Sequence, residues 1–239
     1  MSTEPEADRA AVITAGLDTV RRRISRAVAA AGRDEGDITL IVVTKDVPVT
    51  DITVLLDLGE ADLGESREQQ LRAKAAELAD AAALAVRWHF VGRLQRNKAA
   101  AVARVVDTVH SLDDERLLPQ LARGAAEAGH SCGCLVQVNL DADPGRGGIV
   151  AAAVPRLADA VAATAGLQLR GVMAVAPMAL DPEVAFARLA EVAADLRSRH
   201  PAATWISAGM SGDLEAAVRH GATHLRVGTA ILGSRPAAR

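Results

Sequence analysis

The chain has 239 residues, half of them hydrophobic, with 27 Lys and Arg against 30 Asp and Glu, a formal charge of −3. That length suits one large α/β domain with a sizeable core, and that balance lacks the basic footprint of a nucleic-acid binder. Aromatic residues make up 2% and tyrosine is absent, which excludes base-stacking platforms, and no uncharged apolar run reaches the roughly 18 residues of a membrane-spanning helix.

The first ten residues are polar and acidic, unlike a signal peptide, so a cytoplasmic location is expected, with residues 1–9 as a disordered tail. A helix is predicted over about 8–31, where Ile13, Leu17, Val20, Ile24 and Val28 keep one apolar stripe and Gly32 ends it. From there strand and helix signals alternate. Residues 38–44 form a β-branched apolar run of the kind buried on both faces. Thr50 is expected to cap a helix carrying Ile52, Leu55 and Leu56, closed by Gly59. A short strand at 61–64 precedes a helix over 67–80, and a third strand at 86–91 precedes a helix from about Asn97. The fourth strand is predicted at 106–110, with Ser111 and Asp114 as a capping-box-like start to the next helix. The fifth, at 134–140, leads through a glycine-rich loop into a helix ending near Ala165. The sixth spans 167–175, and Asp181-Pro182-Glu183 opens a helix whose Phe186, Leu189, Val192 and Leu196 face inward. Strands at 203–207 and 223–227 flank a helix from Ser211. Eight strand–helix units predict a single (β/α)8 TIM barrel over residues 1–239, with an extra N-terminal helix. A doubly wound open sheet is the alternative, because periodicity does not show closure. Cys132 and Cys134 have no second pair at ligand spacing and are expected as reduced structural thiols.

In such barrels chemistry gathers at the carboxyl ends of the strands. The polar outliers fall there: Thr44-Lys45, Gly64-Glu65-Ser66, residues 92–98, residues 141–148, Met173 within strand six, residues 207–211, and Arg226 to Thr229. An amine held at a barrel mouth can lose hydration and attack carbonyl carbons. Taken alone, Lys45 reads as a strand-end lysine whose head reaches water. Residues 207–213 offer a hydroxyl, a glycine and a helix start, and Gly228-Thr229 opens the last helix. Backbone N–H groups at helix starts attract anions, so the two segments in adjacent loops favour a phosphate, although Ser207 and Ser211 also read as helix caps. Arg226, between Leu225 and Val227, is expected to be partly buried near the barrel centre. His89, between Trp88 and Phe90, reads as a packed, hydrogen-bonded residue, and Arg93, Arg96 and Arg146 read as solvated loop charges. A lysine, a phosphate cradle and an arginine together describe the needs of pyridoxal phosphate (PLP): an amine for its aldehyde, donors for its phosphate and a partner for its ring nitrogen.

Four segments carry a resemblance to a known family. They are Val43-Thr44-Lys45; residues 88–98, Trp-His-Phe-Val-Gly-Arg-Leu-Gln-Arg-Asn-Lys; Ser207 through Asp213; and residues 226–233, Arg-Val-Gly-Thr-Ala-Ile-Leu-Gly. From about residue 10 onward the chain resembles the pyridoxal phosphate homeostasis proteins, also called the proline-synthase-co-transcribed family. The resemblance implies a barrel similar to the N-terminal domain of alanine racemase, holding PLP as an internal aldimine on Lys45. It also implies that Ser207, Gly228 and Thr229 hold the phosphate and that Arg226 faces the pyridine nitrogen. Asn97, Met173 and Met210 would complete the pocket, with Ser66 standing where the family usually has asparagine.

The resemblance further implies a protein that binds, buffers and supplies PLP, with apo PLP enzymes as recipients and no true turnover. A PLP-dependent racemase or lyase of low activity is the rival, and a cofactor-free Schiff-base aldolase a third reading. Alanine racemases oppose the Schiff-base lysine with a tyrosine from a second, β-rich domain; this chain has no tyrosine and ends at Arg239, just after the predicted barrel. A guanidinium cannot accept a proton, and it disfavours protonation of a ring nitrogen beside it, which weakens the ring as an electron sink. A monomer is expected, with a dimer as the alternative.

Overall fold

In the computed structural model, which describes residues 4–79, 86–141, 143 and 145–233, eight parallel strands close on themselves in chain order, β1 to β8. The strands are β1 (Thr39–Val43), β2 (Asp62–Glu65), β3 (Arg87–Phe90), β4 (Thr108–Leu112), β5 (Cys132–Gln137), β6 (Leu167–Met173), β7 (Trp205–Ser207) and β8 (His224–Val227). Closure is carried by β1 against β8, where Thr39, Leu40, Ile41 and Val42 register with His224, Leu225, Arg226 and Val227. The open-sheet alternative is thereby excluded.

Helices α2 (Val49–Asp57), α3 (Glu68–Leu78), α4 (Arg96–Ala103), α5 (Leu118–Glu127), α6 (Val154–Ala162), α7 (Pro182–Arg199) and α8 (Leu214–Arg219) return the chain between strands, and α9 (Thr229–Leu232) follows β8. Apolar faces on these helices meet apolar strands. In α7, Phe186, Leu189 and Leu196 are buried, and Asp181 Oδ1 accepts from Glu183 N at its start. Every residue of β4 is buried, as expected for a parallel strand with helices outside and side chains inside.

The helix α1 (Glu4–Ala30) precedes the barrel and begins inside the stretch expected as a disordered tail. Its stripe, Ile13, Leu17, Val20, Ile24 and Val28, is buried. It packs against α9 closely enough that a Cβ on Gly16 would sit 2.5 Å from Ile231 O.

Several boundaries differ from the sequence-based expectation. Pro48, not Thr50, stands at the N-cap of α2, because proline pre-sets the dihedral and Thr50 falls inside the first turn. Ser111 lies buried within β4, and Asp114 alone caps the following turn by accepting from Arg116 N. β5 starts two residues earlier than expected, so Cys132 and Cys134 both lie on it, buried and free. The Cys132 contact and burial hold the Cys134 thiol well above its ordinary range, which keeps it unreactive. Helix α8 starts at Leu214 rather than Ser211, because residues 211–213 form a turn. The predicted end of the third helix at Asp80 lies outside the described residues.

Candidate functional site

At the carboxyl ends of β1 and β8 the strands and their following turns enclose a cavity of about 510 Å³. Val43, Lys45, Met210, Ser211, Arg226, Gly228 and Thr229 contribute to its lining. A larger groove, about 760 Å³, is lined in part by Gln69, Arg72, Trp88 and Arg104. It has no lysine and no glycine turn, so volume does not decide between them.

Lys45 sits on the turn that follows β1, exposed, with no hydrogen bond or ion pair engaging its amine among the described residues. Both of its neighbours are pinned. The Thr44 carbonyl accepts from Lys74 Nζ at 2.6 Å, and the Thr44 hydroxyl donates to Glu65 Oε1 at 2.7 Å. Lys74 Nζ also meets Glu65 Oε1 at 2.6 Å, so a buried ion pair from α3 and β2 clamps the end of β1. On the other side, Asp46 is in the left-handed region, φ 58°, the one non-glycine residue there among those described. Asp46 Oδ1 accepts from Arg67 Nη1 at 2.8 Å and Gln70 Nε2 at 2.7 Å. The Gln70 bond, with Arg67 and Lys45 nearby, holds the Asp46 carboxyl below its usual range. Fixed neighbours and a free side chain give an amine whose base is placed and whose head can react.

Arg226, on β8, is 5% exposed rather than on the surface. Its Nη1 donates to Ser207 Oγ at 2.6 Å and its Nη2 to Ala174 O at 2.9 Å. Burial lowers its pKa to about 10 against the opposing charge of Asp213, so it stays a cation at neutral pH. A charged fork with further N–H donors therefore borders the cavity.

Two turns border the same space. At Gly228 a Cβ would lie 2.9 Å from Val43 O, so only glycine keeps β1 and the last turn this close. Thr229 begins α9, whose first N–H groups have no partner inside the helix. Across from it Ser211 and Gly212 line the cavity, and Met210 N donates to Asp213 Oδ1 at 2.6 Å. Neither Ser207 nor Ser211 caps α8. Helix α1 braces both turns from outside: Arg9 Nη2 donates to Leu232 O at 2.9 Å and Arg23 Nη1 to Ser211 O at 2.9 Å.

The structure thus brings Lys45, Met210, Arg226, Gly228 and Thr229 to one cavity, and leaves four expected residues off its lining. Ser207 is fully buried, its hydroxyl engaged by Arg226 and His110. Met173 is buried at the end of β6, Ser66 is partly buried after β2, and Asn97 is exposed on the first turn of α4. Ser211, which the sequence offered only as part of its turn, does line the cavity. The Lys74–Glu65 clamp went unread, because a lysine on a polar helix carries no sign that its head is buried. His89 is packed and hydrogen-bonded as expected. Arg146 is partly covered rather than fully solvated: its Nη2 donates to Val175 O at 2.9 Å. No group of three or more metal-binding side chains occurs among the described residues, and no described helix is long and apolar enough to cross a membrane.

Comparison with known proteins identifies the fold and the family. The family model for the N-terminal domain of alanine racemase matches residues 17–236. A pyridoxal phosphate homeostasis protein of Mycobacterium bovis is 45% identical, over 95% of each chain. A crystal structure of an unknown protein from Bifidobacterium adolescentis superposes with a TM-score of 0.86 at 30% identity, covering 97% of each chain. PipY of Synechococcus elongatus, in a structure with PLP bound, superposes with a TM-score of 0.74 at 34% identity, over 88% of this chain and 100% of PipY. The chain belongs to the pyridoxal phosphate homeostasis protein family, and its barrel is of the alanine racemase N-terminal type.

Proposed function

We propose that this chain binds PLP in the cavity at the ends of β1 and β8, holds it reversibly through Lys45 and releases it to apo PLP enzymes, with no turnover of its own. The observation that carries the reading is the meeting of an unengaged lysine, a buried arginine and two glycine-containing turns in one space of about 510 Å³. When bound, the cofactor supplies an aldehyde that condenses reversibly with amines. The residues suit it. Lys45 offers the amine on a clamped backbone. Thr229, Gly228 and Ser211 offer a hydroxyl pair and backbone donors to a phosphate. Arg226 offers a permanent cation that donates and does not accept, which favours an unprotonated ring nitrogen beside it. Met210 supplies apolar surface at the rim. Ser66 after β2, Asn97 on α4 after β3, and Met173 at the end of β6 do not line this cavity.

Holding without turnover follows from what is missing opposite Lys45: the chain has no tyrosine, and Arg226 withholds the proton that an electron sink requires. The test is direct. Purified protein given PLP is expected to show a visible absorption band, borohydride is expected to fix one cofactor to the Lys45 peptide, and Lys45→Ala is expected to lose both. Labelling of another side chain, or none, overturns the site. Holoprotein incubated with single amino-acid enantiomers in deuterated water is expected to show no exchange of the α-proton beyond one equivalent. Multiple turnovers would make it a racemase or lyase instead.

A further inference from the structure

Five strands contribute to a line of polar side chains beneath the cavity. Arg226 Nη1 donates to Ser207 Oγ, which lies 2.8 Å from His110 Nδ1. His110 Nε2 lies 2.9 Å from His89 Nδ1, and His89 Nε2 lies 3.0 Å from Asp62 Oδ1. The His110–Ser207 bond joins β4 to β7, which are not neighbours in the ring, so it crosses the lumen. Asp62, the first residue of β2, borders a second cavity of about 360 Å³ together with Arg21, Glu35 and Glu60. The line therefore runs from the arginine at one end of the barrel to a carboxylate at the other.

Its direction follows from chemistry. Arginine only donates and an ionised carboxylate only accepts. Burial would raise the Asp62 pKa, but hydrogen bonds from His89 and Arg87 outweigh it and hold the carboxyl well below its usual range. Ser207 accepts from Arg226, and the one acceptor for its own hydroxyl proton among the described residues is His110 Nδ1. His110 then carries its proton on Nε2 and gives it to His89 Nδ1. His89 in turn carries its proton on Nε2, facing Asp62. The reverse order needs an additional proton and strands the hydroxyl of Ser207, which is 0% exposed. Burial, with the Arg226 cation nearby, keeps His110 neutral.

We propose that Asp62, His89 and His110 are positioning residues for Arg226. Acting through Ser207, they give the buried guanidinium an oriented acceptor and a distant counter-charge, and so fix how it presents its remaining donors to the cavity. Asp213 is the carboxylate that otherwise acts on Arg226. The functional readout rests on the cavity being a PLP site; the direction of the relay does not.

Two measurements test this. In the full chain without PLP, 15N-detected histidine spectra near pH 7 are expected to show His89 and His110 as neutral Nε2–H tautomers. A proton on Nδ1 of His110, or a doubly protonated His89, overturns the relay. In PLP titrations, Asp62→Ala is expected to weaken binding about fivefold to tenfold, the size of one weakened hydrogen bond to a charged group, and to move the absorption maximum of the bound cofactor. Asp62→Asn, which keeps the volume, is expected to do the same, should the alanine variant not fold. Arg87→Ala, which removes the other partner of Asp62 but leaves its charge, is expected to change neither. Unchanged affinity and spectrum in a folded Asp62 variant overturn the proposal. A wild-type chain that binds no PLP would sink the proposed function while the tautomers still decide the relay.

Discussion

Lys45 is positioned by residues other than itself. The clamp on Thr44 and the brace on Asp46 define where its backbone stands, and its own side chain is left free. Thr229 works differently: it is exposed at the start of α9, so in the proposed site its hydroxyl would serve ligand contact more than folding. Thr229→Val keeps the shape and removes the hydroxyl. Retention of PLP is expected to fall roughly threefold to tenfold, a neutral hydrogen bond's worth, with the melting temperature unchanged; equal affinity would remove Thr229 from the site. That Lys45, Gly228 and Thr229 line one cavity was legible because each stands at a strand end beside a turn signal. Ser207 looked identical by that criterion, yet it faces inward to His110, and local spacing does not distinguish the two directions.

At the level of elements, α3 acts on β1 by way of β2. Lys74 reaches from α3 to Glu65 at the end of β2 and to the Thr44 carbonyl at the end of β1. Glu65 is fully buried and its Oε2 has no hydrogen-bond partner, so Lys74 is the cation that offsets the burial of its carboxylate. Lys74→Met is expected to destabilise the chain by about 3–5 kcal/mol, because it leaves a buried carboxylate unpaired. The double substitution Glu65→Gln with Lys74→Met is expected to recover much of that loss. Denaturant unfolding of both variants measures it, and a mild single-mutant effect would mean that water reaches Glu65. Helix periods were readable in the sequence to within a few residues. The starts of α2 and α8 were not, because the N-cap depends on how the preceding turn docks rather than on the presence of a hydroxyl.

The whole molecule encloses ionisable groups that a parallel barrel rarely needs for packing. His224 is buried against Trp205, ring centroids 4.0 Å apart, and burial lowers its pKa to about 3; His110 moves the same way. In the unfolded chain each takes up a proton near pH 6.5. For His224 the unfolded state therefore binds more protons between about pH 6.5 and 3, so its contribution is fully present above that window and is lost as pH falls through it. At full effect each histidine contributes a slope of about 1.4 kcal/mol per pH unit. His224→Phe keeps the stack on Trp205 and removes one titration, so its stability is expected to fall less steeply on acidification. Unfolding midpoints at a series of pH values decide this; an unaltered slope would remove His224 as a source.

The sequence by itself determined the number, order and type of the repeating units, the long opening helix, the lysine at the end of the first strand and the two turns that follow strands seven and eight. Those features are local: burial period, turn chemistry and strand ends are written within a few residues of one another. Only the tertiary structure decided that the sheet closes, that Ser211 rather than Ser207 borders the cavity, that Lys74 clamps the end of β1, and that Asp62, His89 and His110 line up behind Arg226. Each of these depends on side chains from strands and helices far apart in sequence meeting across the lumen or at the barrel's mouth, and no periodicity along a single chain encodes which ones face each other after closure.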